Sequence, residues 1–198
     1  MSTLTHHVQY TYEDFLLFPD DGKRHEIIDG EHYMSPSPLT KHQRISMNLS
    51  VAFSIFLKKN KIGEVFHAPY DVIFSDTNIV EPDILFVSAE RAMIVTEKNI
   101  QGAPDLVIEI LSPSTRKTDE ITKRKLYEHY GVGEYWVVDP ELETVKIYRR
   151  VNDPQGSHPS QGTLSRYERF AELSRETNDS LSTAYLPSWT MSLSEIFE

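Results

Sequence analysis

The segment from 104 to 115, PDLVIEILSPST, constrains the fold most strongly, because it combines a strand-like apolar run with a single charge. The apolar residues on both sides of Glu109 predict a strand that is covered on both faces. Burying an unpaired carboxylate in such a strand would raise its pKa by about 3–5 units or cost several kcal/mol. Three explanations for Glu109 stay open: an ion pair, a sheet-edge position that reaches water, or a metal-binding or catalytic site.

The size and composition of the chain are those of one globular domain. It has 198 residues, of which 39% are apolar and 25% are charged, so residues 1–198 are expected to form a single domain. No apolar run approaches the roughly 20 residues of a membrane span, and MSTLTHHVQY lacks the apolar core of a signal peptide. The absence of cysteine excludes disulfides and thiol nucleophiles, and it favours a cytoplasmic location.

The charge of the chain limits its possible partners. The formal net charge of −10 counts against a passive nucleic-acid binder, whose affinity comes mostly from Lys and Arg contacts to phosphate. It does not exclude an enzyme that meets phosphate through a bound cation, because the cation reverses the local charge.

Periodicity and turn signals predict an α+β (α/β-like) domain, with one mixed sheet and two main helices. Helices are expected at 40–59 and 118–130, with a short one at EDFLLF. Asp29-Gly30 predicts a hairpin within 25–34, residues 152–162 read as a surface loop, and the C-terminal LPSWTMSLSEIFE is expected to pack onto the body. The remaining predicted strands are 70–74, 79–87 (paired with 70–74), DLVIEIL, 134–139, 144–150 and an edge strand at SRYERF.

A second acid, Asp83, lies inside the apolar run IVEPDILFV and directly after Pro82. Strands tolerate proline mainly at edges and bulges, so a local irregularity could aim Asp83 towards the strand of Glu109. Two carboxylates in a poorly solvated site repel each other unless they share a proton or bind a cation such as Mg²⁺ or Mn²⁺. Separate ion pairs or exposed edge positions remain the alternative.

Further candidates lie on neighbouring elements. Asp119, Lys123 and Tyr127 are spaced four residues apart, so they share one face of the predicted helix after the Glu109 strand. Lys123 could reach the attacking water or the phosphate, or the whole stripe could be a solvated face. Glu26 faces either inward or towards solvent from the first hairpin strand, and His42 either binds substrate or helps to pack its helix. No zinc motif, P-loop, dinucleotide fingerprint or serine-nucleophile elbow is present.

The segments RHEIIDG, EPDILFV, PDLVIEILSPST and GVGEYWVVDP, together with the Asp119–Lys123–Tyr127 helix, resemble the Uma2 family. That family belongs to the PD-(D/E)XK nuclease superfamily. The resemblance runs in order from about Tyr10 to Arg150, and LPSWTMSLSEIF is similar to the family's closing segment. It implies a restriction-endonuclease-like mixed sheet flanked by helices, and Mg²⁺- or Mn²⁺-dependent cleavage of nucleic acid, with DNA as the expected substrate.

The resemblance also assigns roles to individual residues. Asp83 matches the first acid of the superfamily signature, Glu109 the second, and Glu26 the acid of the family's first motif. Leu111 stands where the signature has lysine, and Lys123 matches the lysine that the family supplies from the following helix. Asp83 and Glu109 would hold the metal, Lys123 would assist the attacking water, and Asp119, Tyr127 and His42 would support the site.

Two other functions stay open. The missing strand lysine and the acidic net charge favour a non-catalytic module of the same fold, which would act by interaction or regulation. A weaker alternative is a glycoside hydrolase that uses Asp83 and Glu109 as an acid–base pair. A nuclease that cuts both strands would be expected to work as a homodimer.

Overall fold

The computed structural model describes residues 9–152 and 165–198. The helices are α1 (Tyr12–Phe15), α2 (Thr40–Lys59), α3 (Arg124–Tyr130) and α4 (Leu193–Phe197), with a 3-10 helix at Ala89–Ile94 and a π-helical turn at Thr118–Lys123. The strands are β1 (Arg24–Ile28), β2 (Glu31–Ser35), β3 (Gly63–His67), β4 (Val72–Ser75), β5 (Asn78–Val80), β6 (Ile84–Ser88), β7 (Ile100–Gln101), β8 (Leu106–Ile110), β9 (Glu134–Asp139), β10 (Thr144–Asn152), β11 (Ser165–Ser174), β12 (Ser180–Leu181) and β13 (Met191–Ser192). In the described ranges, no helix is long and apolar enough to cross a lipid bilayer.

The strands form two larger sheets and a short ribbon. The six-stranded sheet has the order β11-β10-β9-β8-β6-β3, and the five-stranded sheet has the order β2-β1-β5-β4-β7. Each of the two larger sheets contains one parallel pair, β8 with β9 and β4 with β7, and its other pairs are antiparallel. The predicted α+β class with a mixed sheet flanked by helices is confirmed, although the strands are divided between two sheets.

The prediction of one continuous strand over 79–87 is wrong. The chain leaves the five-stranded sheet after β5 and enters the six-stranded sheet at β6. Pro82 lies in the break, where it has no amide hydrogen to donate to either ladder. The predicted pairing with 70–74 is present only for the first part, as β4 with β5. The break puts Asp83 immediately before β6, next to the strand of Glu109.

Strand β8 lies in the middle of the six-stranded sheet and is buried along its whole length, as its apolar sequence predicts. One face packs against α2 and α4 through a core that includes Leu49, Phe53, Trp136 and Ile196. The other face packs against α3 through a second core, in which Val107 and Leu111 are members together with Leu126 and Tyr135. The central position of β8 excludes a sheet edge as the explanation for Glu109.

Several local predictions are confirmed. Helix α2 spans the predicted residues, and the hairpin of β1 and β2 turns at Asp29 and Gly30, which have φ values of 53° and 77°. Strand β11 is an edge strand, and the C-terminal segment packs onto the body through Trp189 and Phe197. Most of the predicted loop 152–162 lies outside the described residues.

Asp139, at the end of β9, binds Arg116, which lies in the segment that leads into the π-helical turn. Its carboxylate accepts hydrogen bonds from Arg116 Nη1 at 2.5 Å and Nη2 at 3.1 Å, and from the amides of Glu141 at 3.0 Å and Leu142 at 3.2 Å. Burial tends to raise the pKa of Asp139, but the hydrogen bonds from Arg116 and the two amides hold it below its usual value. This carboxylate therefore stabilises the fold in its ionised form.

We expect Asp139→Asn to lower the free energy of unfolding at pH 7 by about 1–3 kcal/mol, because charge-assisted hydrogen bonds are lost. The pKa is lower in the folded state, so the contribution is complete above the unfolded value of about 3.9 and disappears as the pH falls through the folded value. Urea unfolding of both proteins at pH 7 and pH 3 measures this difference. A difference that is the same at both pH values would contradict the assignment.

Candidate active site

A cavity of about 340 Å³ opens beside the C-terminal end of β8. Its walls come from β1, from the loop before α2, from the first turn of α2, from residues 112–115 and from the π-helical turn. The charged and histidine side chains that line it are Arg24, Glu26, His42, Glu109, Asp119 and Lys123. Five of the seven residues singled out from the sequence therefore meet at one cavity.

Lys123 lies at the centre of the acidic residues. Its Nζ is 2.7 Å from Glu26 Oε1, 3.0 Å from Glu109 Oε1 and 3.7 Å from Asp119 Oδ1. Tyr127 donates a hydrogen bond of 2.6 Å from its hydroxyl to Glu109 Oε1. The three residues of the predicted helical stripe are all buried, so they do not form a solvated face. Glu109 is thus compensated by an ion pair, the first of the explanations that the sequence left open.

The helix that carries this stripe departs from the regular one predicted over 118–130. Residues Thr118–Lys123 form a π-helical turn, and the α-helix that follows it, α3, begins at Arg124. A π turn is wider than an α turn and is often found at functional sites. The wider turn carries Asp119 and Lys123, and Tyr135 donates a hydrogen bond of 3.0 Å to the backbone carbonyl of Asp119. Lys125 is exposed, outside the cavity of Lys123.

Asp83 lies beside Glu109 at the end of the paired strands β6 and β8. Their antiparallel register pairs Ile84 with Ile108, and continuing it by one residue puts Asp83 opposite Glu109. Asp83 Oδ2 accepts hydrogen bonds from the Ile110 amide at 2.8 Å and from His42 Nε2 at 3.1 Å. His42 lines the cavity, and its ring contacts the side chain of Asp83.

Two residues that were not predicted from the sequence, Arg24 and Glu81, also belong to this cluster. Arg24 donates a hydrogen bond of 2.5 Å from Nη1 to Asp83 Oδ1, and its Nε lies 2.9 Å from Glu81 Oε1. The contact with Glu81 is an ion pair and not a hydrogen bond. Glu81 Oε1 accepts no hydrogen bond from the described residues. Strand alternation could have indicated Arg24, since it lies two residues before Glu26 in β1. Glu26 Oε1 also accepts a 2.8 Å hydrogen bond from the Glu81 amide.

The two acids at the end of β8 have opposite pKa shifts. Burial tends to raise the pKa of Asp83, but the hydrogen bond and charge of His42 and the charge of Arg24 hold it at about 2. Burial raises the pKa of Glu109 well above its ordinary value; Lys123 opposes this rise, while the charges of Asp119, Asp83 and Glu26 add to it. Asp83 is therefore ionised at neutral pH, and Glu109 retains a proton more readily.

The groups around this pair are also perturbed. Burial is the largest cause that raises the pKa of Asp119 to about 6 and that of Glu81 to about 7, against the opposing charges of Lys123 and Arg24 respectively. Burial would lower the pKa of Lys123, but the charges of Glu109, Glu26 and Asp119 raise it well above its usual value. Lys123 is therefore a permanent cation inside an acidic cluster.

The cluster contains more acidic groups than cations, and this surplus suits a divalent metal ion. Within the described part of the chain, no three acidic or histidine side chains are arranged to hold a metal by themselves. Mg²⁺ commonly takes only one or two protein carboxylates and completes its shell with water and substrate phosphate. Asp83 and Glu109 are hard oxygen donors of that kind, so the residues fit Mg²⁺ or Mn²⁺. The acidic groups of the cluster are Glu26, Glu81, Asp83, Glu109 and Asp119, against the cations Arg24 and Lys123.

A solved structure and a protein sequence are similar to this chain. A crystal structure from Anabaena variabilis ATCC 29413, described as "a putative nuclease belonging to DUF820", matches with a TM-score of 0.70 and 24% sequence identity. The match covers 94% of this chain and 97% of that one, which shows a common fold. The "Uncharacterized protein slr1290" of Synechocystis sp. (strain ATCC 27184 / PCC 6803 / Kazusa) is 28% identical over 133 residues, 66% of this chain and 68% of that protein.

The family model for Uma2, described as "Putative restriction endonuclease", matches residues 12–189. This range contains β1 to β12 and therefore every residue that lines the cavity. The resemblance found in the sequence motifs is confirmed over nearly the whole chain. The chain belongs to the Uma2 family of restriction-endonuclease-like proteins.

Proposed function

We propose that this protein is a metal-dependent endonuclease that hydrolyses phosphodiester bonds in DNA. The observation that carries the proposal is the convergence on Lys123, whose Nζ lies within 3.0 Å of both Glu26 and Glu109 in the wall of the cavity. Membership of a family described as restriction endonucleases supports the same reaction class. The Lys123 ammonium, held by these two carboxylates, is suited to phosphoryl chemistry, because it can both orient water and stabilise charge on phosphate.

Each side chain has a separate role in this proposal. Asp83 and Glu109 would hold Mg²⁺ or Mn²⁺, which when bound would supply Lewis-acid polarisation of the scissile phosphate and neutralise its charge. His42 and the Ile110 amide fix the Asp83 carboxylate through Oδ2, and Tyr127 orients Glu109 through Oε1. These contacts hold the acids on rigid elements, and such preorganisation is what an active site requires.

Lys123 acts on the water and the phosphate. Its high pKa keeps it protonated, so it donates hydrogen bonds and cannot accept a proton from water at neutral pH. It therefore orients the attacking water and stabilises negative charge on a phosphate oxygen. Glu26 and Asp119 hold the ammonium in position at 2.7 Å and 3.7 Å.

A non-catalytic module of the same fold is the second candidate. It is favoured by the protein partners of Asp83, whose two oxygens contact Arg24, His42 and the Ile110 amide. Such a module would keep the acidic cluster only as a structural ion-pair network. It would bind no Mg²⁺ at this site and cut no nucleic acid.

An activity assay separates these functions. Single-stranded DNA, duplex DNA and RNA are incubated with the protein in Mg²⁺, in Mn²⁺ and in excess EDTA. We expect cleavage of DNA with either metal and none in EDTA. Cleavage of RNA alone would show that the substrate is RNA and not DNA. The absence of cleavage under all conditions would favour the non-catalytic module. Hydrolysis of a glycoside substrate that is insensitive to EDTA would support the acid–base use of the two carboxyl groups instead.

A further inference from the structure

Arg24 is a cation in the wall of the cavity to which neither sequence motif nor family description gives a role. Its guanidinium is held between two acids, with Nη1 at 2.5 Å from Asp83 Oδ1 and Nε at 2.9 Å from Glu81 Oε1. The side chain remains 24% exposed, although Asp83 is buried. Arg24 therefore connects the buried carboxylate of Asp83 with the open cavity.

The oxygen that Arg24 contacts is the one that a metal ion would need. Asp83 Oδ2 already accepts two hydrogen bonds, from the Ile110 amide and from His42, which use both of its lone pairs. Oδ1 is the remaining oxygen for a cation, and Arg24 Nη1 lies on it. Guanidinium does not lose its proton in proteins, so Arg24 and a divalent cation repel each other at this position.

The geometry of the guanidinium also offers a second partner. Among the described residues, the contacts of Arg24 use Nη1 and Nε and leave the Nη2 donors without a protein acceptor. Arginine presents a planar fork of donors that matches two oxygens of a phosphate group. Because the side chain lines the cavity, a phosphate bound there can replace Asp83 as its partner.

We propose that Arg24 is a phosphate-binding residue that also controls access of the metal to Asp83. This inference rests on the proposed nuclease function. In the metal-free protein Arg24 neutralises Asp83. When a divalent cation takes Asp83 Oδ1, the guanidinium turns about its contact with Glu81 towards a phosphate of the nucleic acid. Metal binding at Asp83 releases Arg24 for contact with a phosphate. Phosphate binding in turn draws Arg24 away from Asp83 and leaves Oδ1 free for the metal. Metal and nucleic acid therefore strengthen each other's binding.

The first test measures metal binding without nucleic acid. Free Mn²⁺ is counted by electron paramagnetic resonance during titration of the wild type, Arg24→Gln and the control Lys23→Gln, which removes the same charge from an exposed neighbour paired with Asp21. We expect Arg24→Gln to bind Mn²⁺ about tenfold more tightly than the wild type, and the control to stay within about twofold. Mn²⁺ binding by Arg24→Gln that is equal to or weaker than that of the wild type would overturn the inference.

The second test measures nucleic-acid binding in Ca²⁺, with a fluorescein-labelled DNA duplex as the probe and fluorescence anisotropy as the readout. We expect Arg24→Gln to weaken binding at least fivefold and to reduce the slope of log K against log salt by about 0.9, the value for one lost phosphate contact. Arg24→Lys should keep the slope, because it keeps the charge. An unchanged slope in Arg24→Gln would contradict the proposed phosphate contact, because a purely structural residue does not alter the number of counterions released.

These tests are distinguishable from a failure of the proposed function itself. A wild type that binds no Mn²⁺ at all refutes the metal-dependent nuclease and, with it, the role of Arg24. A wild type that binds Mn²⁺ and cuts DNA, with Arg24→Gln no different in metal affinity, refutes the role of Arg24 alone. Circular dichroism verifies the fold of each variant, and Arg24→Lys provides the comparison if Arg24→Gln does not fold.

Discussion

Replacing Lys123 with methionine is expected to lower the DNA-cleavage rate at saturating Mg²⁺ by about 100- to 1,000-fold, the typical effect of removing one preorganised donor from an active site. The ammonium contacts Glu26 and Glu109, and no other cation lies within 4.0 Å of Glu109 among the described residues. Methionine fills a similar volume, so the packing around Tyr127 is kept while the charge is removed.

Lys125→Met is the matched control, because it removes the same charge from the same helix at an exposed position outside the cavity. It should change the rate less than about twofold, in line with ordinary surface substitutions. Rates are compared at a temperature where circular dichroism shows both variants to be folded, since breaking a buried ion pair can cost about 3–5 kcal/mol. Equal rates in the two variants, or a loss in Lys125→Met alone, would mean that the lysine has been assigned wrongly.

Glu109→Gln is the second large effect. We expect it to abolish metal-dependent cleavage, with a loss of about 1,000-fold or more, because a neutral amide is a much poorer ligand for Mg²⁺ than a carboxylate. Without metal, the same substitution should preserve the fold. Burial raises the pKa of Glu109, so the folded protein disfavours its charge, and glutamine removes that charge while it keeps the shape of the side chain.

The raised pKa also fixes the direction of a pH effect in EDTA. Below about pH 4.3 Glu109 is protonated in both the folded and the unfolded state, so it does not lower the free energy of unfolding of the wild type. As the pH rises towards the higher folded value, the unfolded state releases its proton first, and the wild type loses stability. Urea unfolding between pH 5 and 9 should show this decrease in the wild type and a smaller one in Glu109→Gln. A variant less stable than the wild type at pH 8 would contradict the assignment.

Local patterns were sufficient to predict many of the elements. Ile45, Leu49 and Phe53 recur at helical spacing, and α2 has the predicted bounds because one apolar face of a helix needs no information beyond that period. Strand β9 and the Asp29-Gly30 hairpin follow equally from short-range signals. The alternation of inward and outward side chains along β1 indicated that Glu26 could face inward, and Glu26 is buried in the structure.

The candidate site depends on a mixture of local and distant information. The four-residue spacing brought Asp119, Lys123 and Tyr127 to one face, as expected, but it did not reveal the π-helical turn that carries the first two. The strand predicted over 79–87 failed because each half has a different pairing partner, and pairing between distant segments leaves no periodic trace in the sequence. The break at Pro82 is nevertheless what brings Asp83 to the end of β8.

The sequence alone determined the fold class, the family motifs, the main helices and most strands, because these depend on periodicity and on turn residues within a few positions of each other. Only the tertiary structure decided how the charges are paired. Arg24 and His42 lie 59 and 41 residues from Asp83, and their contacts exist because the two sheets and the first turn of α2 meet at one cavity. Whether Glu109 sat at an edge or in an ion pair was likewise decided by the position of β8 within its sheet, since the free energy of a buried charge depends on its neighbours in space.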